Sequence, residues 1–350
     1  MRTPIAAIAL VVVGLLAACG HGPTTGTAAE GPACEGPATA ATQDWPAPLV
    51  PTPEPLLPVS LTDFSGTEVT VSKAERILAL DVYGTLATTV HALGLGDRLV
   101  GRDVSTGVPE LASLPVVTHN GHELNAEAIL ALDPDVVLTD YSIGPLEVQL
   151  QLRDSGVPVV ILDGNRGRDV VGDQIREVAE ALGVEAAGEE LADRVAADIE
   201  EAESEVARLV PRDPSDRLRM VFLYMRGQAG VFYWFGEGSG ADDLIEALGG
   251  VDVADEVDVA GARPINAEGL VLAAPDMFLM MSDGLESVGG IDGLLEVPGV
   301  AETPAGADRC VVDMDDSQIL GYGPQYPATL RALAHAVYGE PDGSGGDRSR

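Results

Sequence analysis

The sequence predicts an α/β protein of two Rossmann-like lobes joined by a single long helix. Three observations carry that prediction. Short β-rich runs alternate with helical ones over residues 59–183 and again over 212–340, the pattern of strands and helices arranged in layers. Between them Leu191, Val195, Ile199, Ala202, Val206 and Leu209 recur at helical spacing over an acidic opposite face. Asn125-Ala126-Glu127 leading to Pro134-Asp135 is echoed at identical offsets by Asn266-Ala267-Glu268 leading to Pro275-Asp276, so the two lobes resemble each other.

Taken in chain order, Arg2, the uncharged run from Ile5 to Ala18 and the small residues before Cys19 have the zones of an export signal. The run is shorter than the roughly 20 apolar residues a bilayer span needs, so residues 1–18 are expected to be cleaved. Leu16-Ala17-Ala18-Cys19 is similar to the lipobox of bacterial lipoproteins, which makes Cys19 the expected acylated first residue and the membrane a partner through its lipid. Residues 19–58 are rich in Gly, Pro, Ala and Thr without apolar periodicity, and are expected to form a flexible, lipid-anchored tether with His21 solvated in it.

In the first lobe, residues 59–183, strands are expected at Ile77 to Asp81, Arg98 to Asp103, Val136 to Asp140 and Val159 to Asp163, with helices near Thr85, Ala126 and Pro145. The helix expected from Glu185 to Val210, within the connecting segment 184–211, would be about 39 Å long. That exceeds what one lobe needs to cover its sheet, so it reads as a strut that Pro211 ends. In the second lobe, residues 212–340, strands are expected at Met220 to Met225, Val231 to Phe235, Met277 to Ser282 and Cys310 to Met314, with helices beginning near Ala241, Ala267, Gly293 and Tyr326. Residues 341–350 are Gly, Ser and charge, and read as a disordered tail.

The formal charge is −36, spread along the chain, and Lys73 is the only lysine. Phosphate backbones would be repelled, which argues against nucleic acid as a partner. With Cys19 acylated, Cys34 and Cys310 remain, and outside the cell an even pair favours a disulfide stapling the tether to the second lobe; two free thiols are the alternative. His122-Glu123 begins like a zinc-protease helix, but residue 126 is alanine where the second His is required. No nucleophile elbow or phosphate loop is present, and an enzyme is not expected.

Export signal with lipobox, two α/β lobes, a long connecting helix and paired Asn-Ala-Glu helices together resemble the class III substrate-binding proteins of siderophore, cobalamin and haem ABC importers, over residues 59–338. Within that class, Asn120-Gly121-His122-Glu123-Leu124-Asn125 and Tyr224-Met225-Arg226-Gly227 are similar to stretches of the haemin-binding lipoproteins of actinobacterial type, the HmuT family. The resemblance implies a lipoprotein on the outer face of the cytoplasmic membrane. Its transported ligand would be haem (iron protoporphyrin IX), passed to an ABC permease dimer with its ATPase for iron uptake. A first-lobe His and a second-lobe Tyr would bind the iron from opposite faces, and an Arg two residues after the Tyr would hydrogen-bond it. Carried over, these are His122, Tyr224 and Arg226.

The residue chemistry is consistent with that transfer. Positions two apart on a strand share a face, which brings Arg226 beside Tyr224. A neighbouring cation favours phenolate, a hard anionic ligand suited to ferric iron. His122 stands on the loop feeding the Asn125-capped helix, and imidazole is the other common axial ligand; His119, three residues earlier, is its competitor. His91 in an apolar helical run and His335 in the last helix read as structural. Met281 ends its strand where α/β sheets place ligands, and either touches the porphyrin or packs in the core. Tyr233, Trp234 and Phe235 offer flat apolar surface for a flat ligand or for the core.

Arg263 stands three residues before Asn266 as His122 stands before Asn125, so pseudo-symmetry places it at the opposite cleft wall, against a haem propionate. For Glu127 and Glu268 the resemblance implies docking to arginines of the permease; the helix dipole alone also favours a carboxylate in each first turn. A siderophore or cobalamin carrier of the same class is the alternative function. A zinc or manganese carrier is a second, from the His-x-x-His spacing of His119 and His122.

Overall fold

A computed structural model of the chain describes residues 34, 36–119 and 122–339. The export signal, Cys19, His21, Asn120, Gly121 and the tail from residue 340 lie outside the described residues.

The first lobe is built on the parallel strands Ile77–Leu80, Val136–Thr139 and Val159–Ile161, with Val136–Thr139 in the middle. Every residue of the three is buried. Continuous apolar sequence is what a parallel strand covered on both faces requires. The expected strand from Arg98 to Asp103 is reduced to single bridges, Ile77 with Leu99 and Arg102 with Val116. Its backbone divides between two neighbours, as Val100 N–H bonds to Ile77 and Arg102 N–H to Pro115. Off the sheet, the hairpin Val59–Thr62 and Glu68–Val71 is closed by buried Asp63, which accepts from Ser65, Thr67 and Ile161 N–H and from the Arg153 guanidinium. Those donors outweigh burial and hold the Asp63 carboxyl below its ordinary value.

Helix Glu185–Leu209 buries Leu191, Ala192, Val195, Ala202 and Val206. It packs against helix Val171–Ala181 of the first lobe and helix Tyr326–Tyr338 of the second. Its apolar stripe therefore serves both cores, which explains a length beyond the need of either.

The second-lobe sheet runs Ala38–Ala40, Val311–Met314, Met277–Met281, Arg219–Arg226, Val231–Phe235, Ala262–Pro264, with Val251–Asp252 also paired to the start of Arg219–Arg226. Arg219–Arg226 and Val231–Phe235 form an antiparallel hairpin, with Tyr233 opposite Tyr224 and Phe235 opposite Phe222.

The expectation of a structureless tether through residue 58 gives way from Cys34 onward. Cys34 and Cys310 are joined by a disulfide with a Cα–Cα distance of 5.8 Å. Ala38–Ala40 then adds a parallel strand to Val311–Met314. The chain continues across both lobes: Gln318 donates to the Thr42 carbonyl, Arg194 to the Ala47 carbonyl, Leu49 N–H bonds to Ala92, and Leu56 N–H to Gly183. Composition misleads here because the segment has no periodic pattern of its own; it takes its hydrogen bonds from groups far away in sequence, the edge of the second-lobe sheet among them. A Cβ on Gly107 would stand 2.8 Å from the Trp45 ring and closer still to Ser317, so glycine is what lets this strap, the first lobe and the second meet.

Candidate functional site

Along strand Arg219–Arg226 the side chains alternate, and Phe222, Tyr224 and Arg226 share one face. Phe222 stacks on Phe235 at 5.4 Å between centroids, and Phe235 stacks on Tyr224 at 5.4 Å with 14° between the planes. This row of rings fixes the Tyr224 ring near the C-terminal end of an interior strand of the sheet. The Arg226 guanidinium lies 4.6 Å from the Tyr224 ring centroid, a cation–π arrangement.

The expected hydrogen bond from Arg226 to the phenol is not made. Nη2 of Arg226 goes instead to the Asp316 carboxylate at 2.5 Å and touches Met281 Sδ at 3.8 Å, while Nη1 donates to the Met225 carbonyl at 2.9 Å. A carboxylate is the stronger acceptor for a guanidinium. Burial holds the Asp316 carboxyl above its ordinary value in spite of that cation.

From the first lobe, His122 precedes helix Ala126–Ala131, which Asn125 caps by accepting Ala128 N–H at 3.1 Å. Burial, then the charge on Arg226, lowers the His122 pKa, which favours the neutral form of the imidazole. Its Nδ1 is buried with no hydrogen-bond partner among the described residues. A neutral imidazole with a ring nitrogen unspent has the state a metal-binding histidine needs.

His122, Tyr224, Arg226 and Met281 line one cleft of about 630 Å³ between the lobes, together with Phe235. Met281, at 6 % exposure, ends its strand there. His119 is half exposed, 3.4 Å from Glu123, and lines an adjoining groove without Tyr224. Trp234 is buried and Tyr233 does not line the cleft; His91 and His335 do not line it either. Arg263 departs from its expected place. It is exposed on Ala262–Pro264, paired with Trp234 at the outer edge of the hairpin, and does not line the cleft. The echo between the lobes preserves the helix after Asn266 but not the loop before it, because that loop is drawn into the sheet.

Glu127 and Glu268 are exposed in the first turns of matching helices, and neither makes an ion pair among the described residues. Asn266 accepts Glu268 N–H at 3.1 Å. A separate hollow of about 510 Å³ lined by Phe232, Ile265, Val288 and Val297 holds none of the chemical groups above.

Several lining groups escaped the sequence reading. Tyr83 and Arg102 stand on the first-lobe wall, Asp283, Asp315 and Asp316 on the second. The available signal was their position just beyond apolar runs, where strands of an α/β sheet deliver ligand contacts. Under Tyr83 lies Arg166, 4.5 Å from its ring centroid, bonded to Asp81 at 3.2 Å and Asp140 at 2.8 Å. Asp103 beside them accepts from Thr106 N–H and hydroxyl and from Asp81 N–H. Burial and the Asp81 charge push its carboxyl up to about 7. Gly84, at φ 67°, would carry a Cβ only 2.5 Å from the Ser105 carbonyl, so the two loops of this wall can meet only at a glycine.

The family model of periplasmic binding proteins matches residues 82–318. The chain belongs to this family. The periplasmic binding protein fold is shared with a solved haem-binding protein, HmuT, at 46 % identity and TM-score 0.83, covering 87 % of this chain and 98 % of that one. That protein has also been solved with an arginine, a histidine or a tyrosine replaced by alanine, the arginine two positions after the tyrosine. A periplasmic haem-binding protein, RhuT, from Roseiflexus sp. RS-1 is 37 % identical with TM-score 0.69, over 76 % of this chain and 98 % of that one. A cobalamin-binding protein of Halobacterium salinarum is 28 % identical over 293 residues, 80 % of this chain and 74 % of that one. Among the described residues no helix is long and apolar enough to cross a membrane.

Proposed function

We propose that this periplasmic binding protein captures ferric haem between its lobes and delivers it to an ABC importer for iron uptake, acting as a carrier and not as an enzyme. The observation that carries the reading is the convergence of His122 from one lobe and Tyr224 from the other on a single cleft. His122 offers a neutral ring nitrogen to one face of the iron, and Tyr224 offers its phenol oxygen to the other. Arg226 over the Tyr224 ring offsets the charge that a phenolate ligand brings. Met281 and Phe235 give the porphyrin apolar contact.

Two ligands from two lobes mean that haem itself draws the lobes together, since neither lobe alone completes the coordination. Exposed Glu127 and Glu268, one on each lobe, then present matched carboxylates to arginines of a permease dimer served by its ATPase. Acylated Cys19 keeps the carrier on the outer face of the cytoplasmic membrane near that permease. Titration of the purified protein with ferric haemin tests the reading: an intense, shifted Soret band that saturates at stoichiometric haemin is expected, and an unchanged spectrum sinks it. The cobalamin-binding relative favours a second reading, that the same cleft takes a corrinoid. A parallel titration with cyanocobalamin decides between them.

A further inference from the structure

The walls of the cleft carry unequal charge. On the second lobe stand Asp283, Asp315 and Asp316, and Arg226 there is already bonded to Asp316. On the first lobe stands Arg102. Its backbone is fixed on both sides, with Arg102 N–H bonded to the Pro115 carbonyl at 2.9 Å and its own carbonyl accepting Val117 N–H at 2.9 Å. Its Nη1 donates to the Asp103 carbonyl at 3.1 Å. Its Nε is buried with no hydrogen-bond partner, and Arg102 makes no ion pair among the described residues. This half-buried guanidinium borders the ligand cleft with its charge unmatched by any described carboxylate, the condition in which a ligand carboxylate is drawn to it.

Resting on the haem reading above, we infer that Arg102 binds a propionate of the porphyrin and so sets which edge of the ligand points to the first lobe. Haem has apolar edges and one edge bearing two carboxylates. The acidic second-lobe wall repels that edge and Arg102 attracts it, which leaves one favoured orientation. This role was assigned by pseudo-symmetry to Arg263, which lies outside the cleft. Arg102 fills it from the other lobe.

The test compares haemin with haemin dimethyl ester, in which both propionates are capped, on the purified full-length mature protein and on Arg102→Gln. The parent is expected to bind the ester about 10- to 100-fold more weakly than haemin, the range a charge-assisted hydrogen bond gives. Arg102→Gln is expected to lose a similar factor for haemin, to bind haemin and ester alike, and to keep the parent's Soret position because His122 and Tyr224 are untouched. Arg102→Lys restores part of the preference for haemin. A variant that discriminates between the two porphyrins as strongly as the parent overturns the inference while leaving the haem reading intact. A parent that binds neither porphyrin overturns both.

Discussion

Replacing Tyr224 by Phe and, separately, by Ala distinguishes the phenol oxygen from the ring that carries it. The ring stacks on Phe235 and lies under Arg226, and Phe keeps both contacts. Stability of Tyr224→Phe should therefore change by no more than about 0.5 kcal/mol. Ala forfeits the stack, about 0.5–1.5 kcal/mol, and the cation–π contact, about 0.5–1 kcal/mol. It should melt lower than Phe by the sum, roughly 1–2.5 kcal/mol.

Binding should rank differently. Loss of a group that merely supports a metal ligand costs about 10- to 100-fold in affinity, so loss of the ligating oxygen should reach at least about 100-fold, or roughly 2.8 kcal/mol. Both variants should then lose haemin affinity by that order and share an altered spectrum. Arg226→Gln should fall in the supporting range of about 10- to 100-fold. Haemin titration followed at the Soret and ligand-to-metal bands reads affinity and coordination, and a thermal melt of the same samples reads stability. Tyr224→Phe with the parent's spectrum and affinity would refute the ligand assignment.

Further outcomes follow from the same geometry. The Cys34–Cys310 bridge spans 276 residues in sequence, for which the chain-entropy relation gives about 5.6 kcal/mol as an upper value. Replacing both cysteines by Ser should lower unfolding stability by about 2–5 kcal/mol in denaturant melts, and unchanged stability would show that the strap is not held by the bridge. Asp103, raised from its ordinary 3.8 to about 7, contributes stability that is full below pH 3.8 and is lost as pH rises through 7. Asp140, also raised by burial, adds to that slope, and lowered Asp63 opposes it at the acid end. Asp103→Asn should flatten the dependence of melting temperature on pH between 4 and 7, and an unaltered slope would place its origin elsewhere. Reversing Glu127 and Glu268 together to Arg should cut haem uptake by cells at least about tenfold while haemin affinity of the pure protein stays the same; loss of that affinity would contradict docking.

Much of the fold was legible because its strands are buried on both faces and announce themselves as unbroken apolar runs, such as Ile77–Leu80 and Met277–Met281. The candidate site was legible where a local spacing carries the chemistry: Tyr224 and Arg226 two apart on a strand, and His122 ahead of a capped helix. It was not legible where the partner is remote. Asp316 takes the Arg226 guanidinium from 90 residues away, and no local pattern marks it. Arg263 failed for the converse reason, since a sequence echo between lobes fixes helix starts but not the path of the loop leading into them.

The sequence by itself determined the two lobes and the strut between them, and it singled out His122, Tyr224 and Arg226 as candidates, because burial and periodicity are properties of neighbouring residues. Only the tertiary structure decided what the walls of the cleft are made of. It set Arg102 against three carboxylates, gave Arg226 to Asp316, and turned residues 36–58 from loose chain into a strap over both lobes. Charge partners and sheet edges are satisfied through space, by groups whose distance along the chain places no constraint on where they meet.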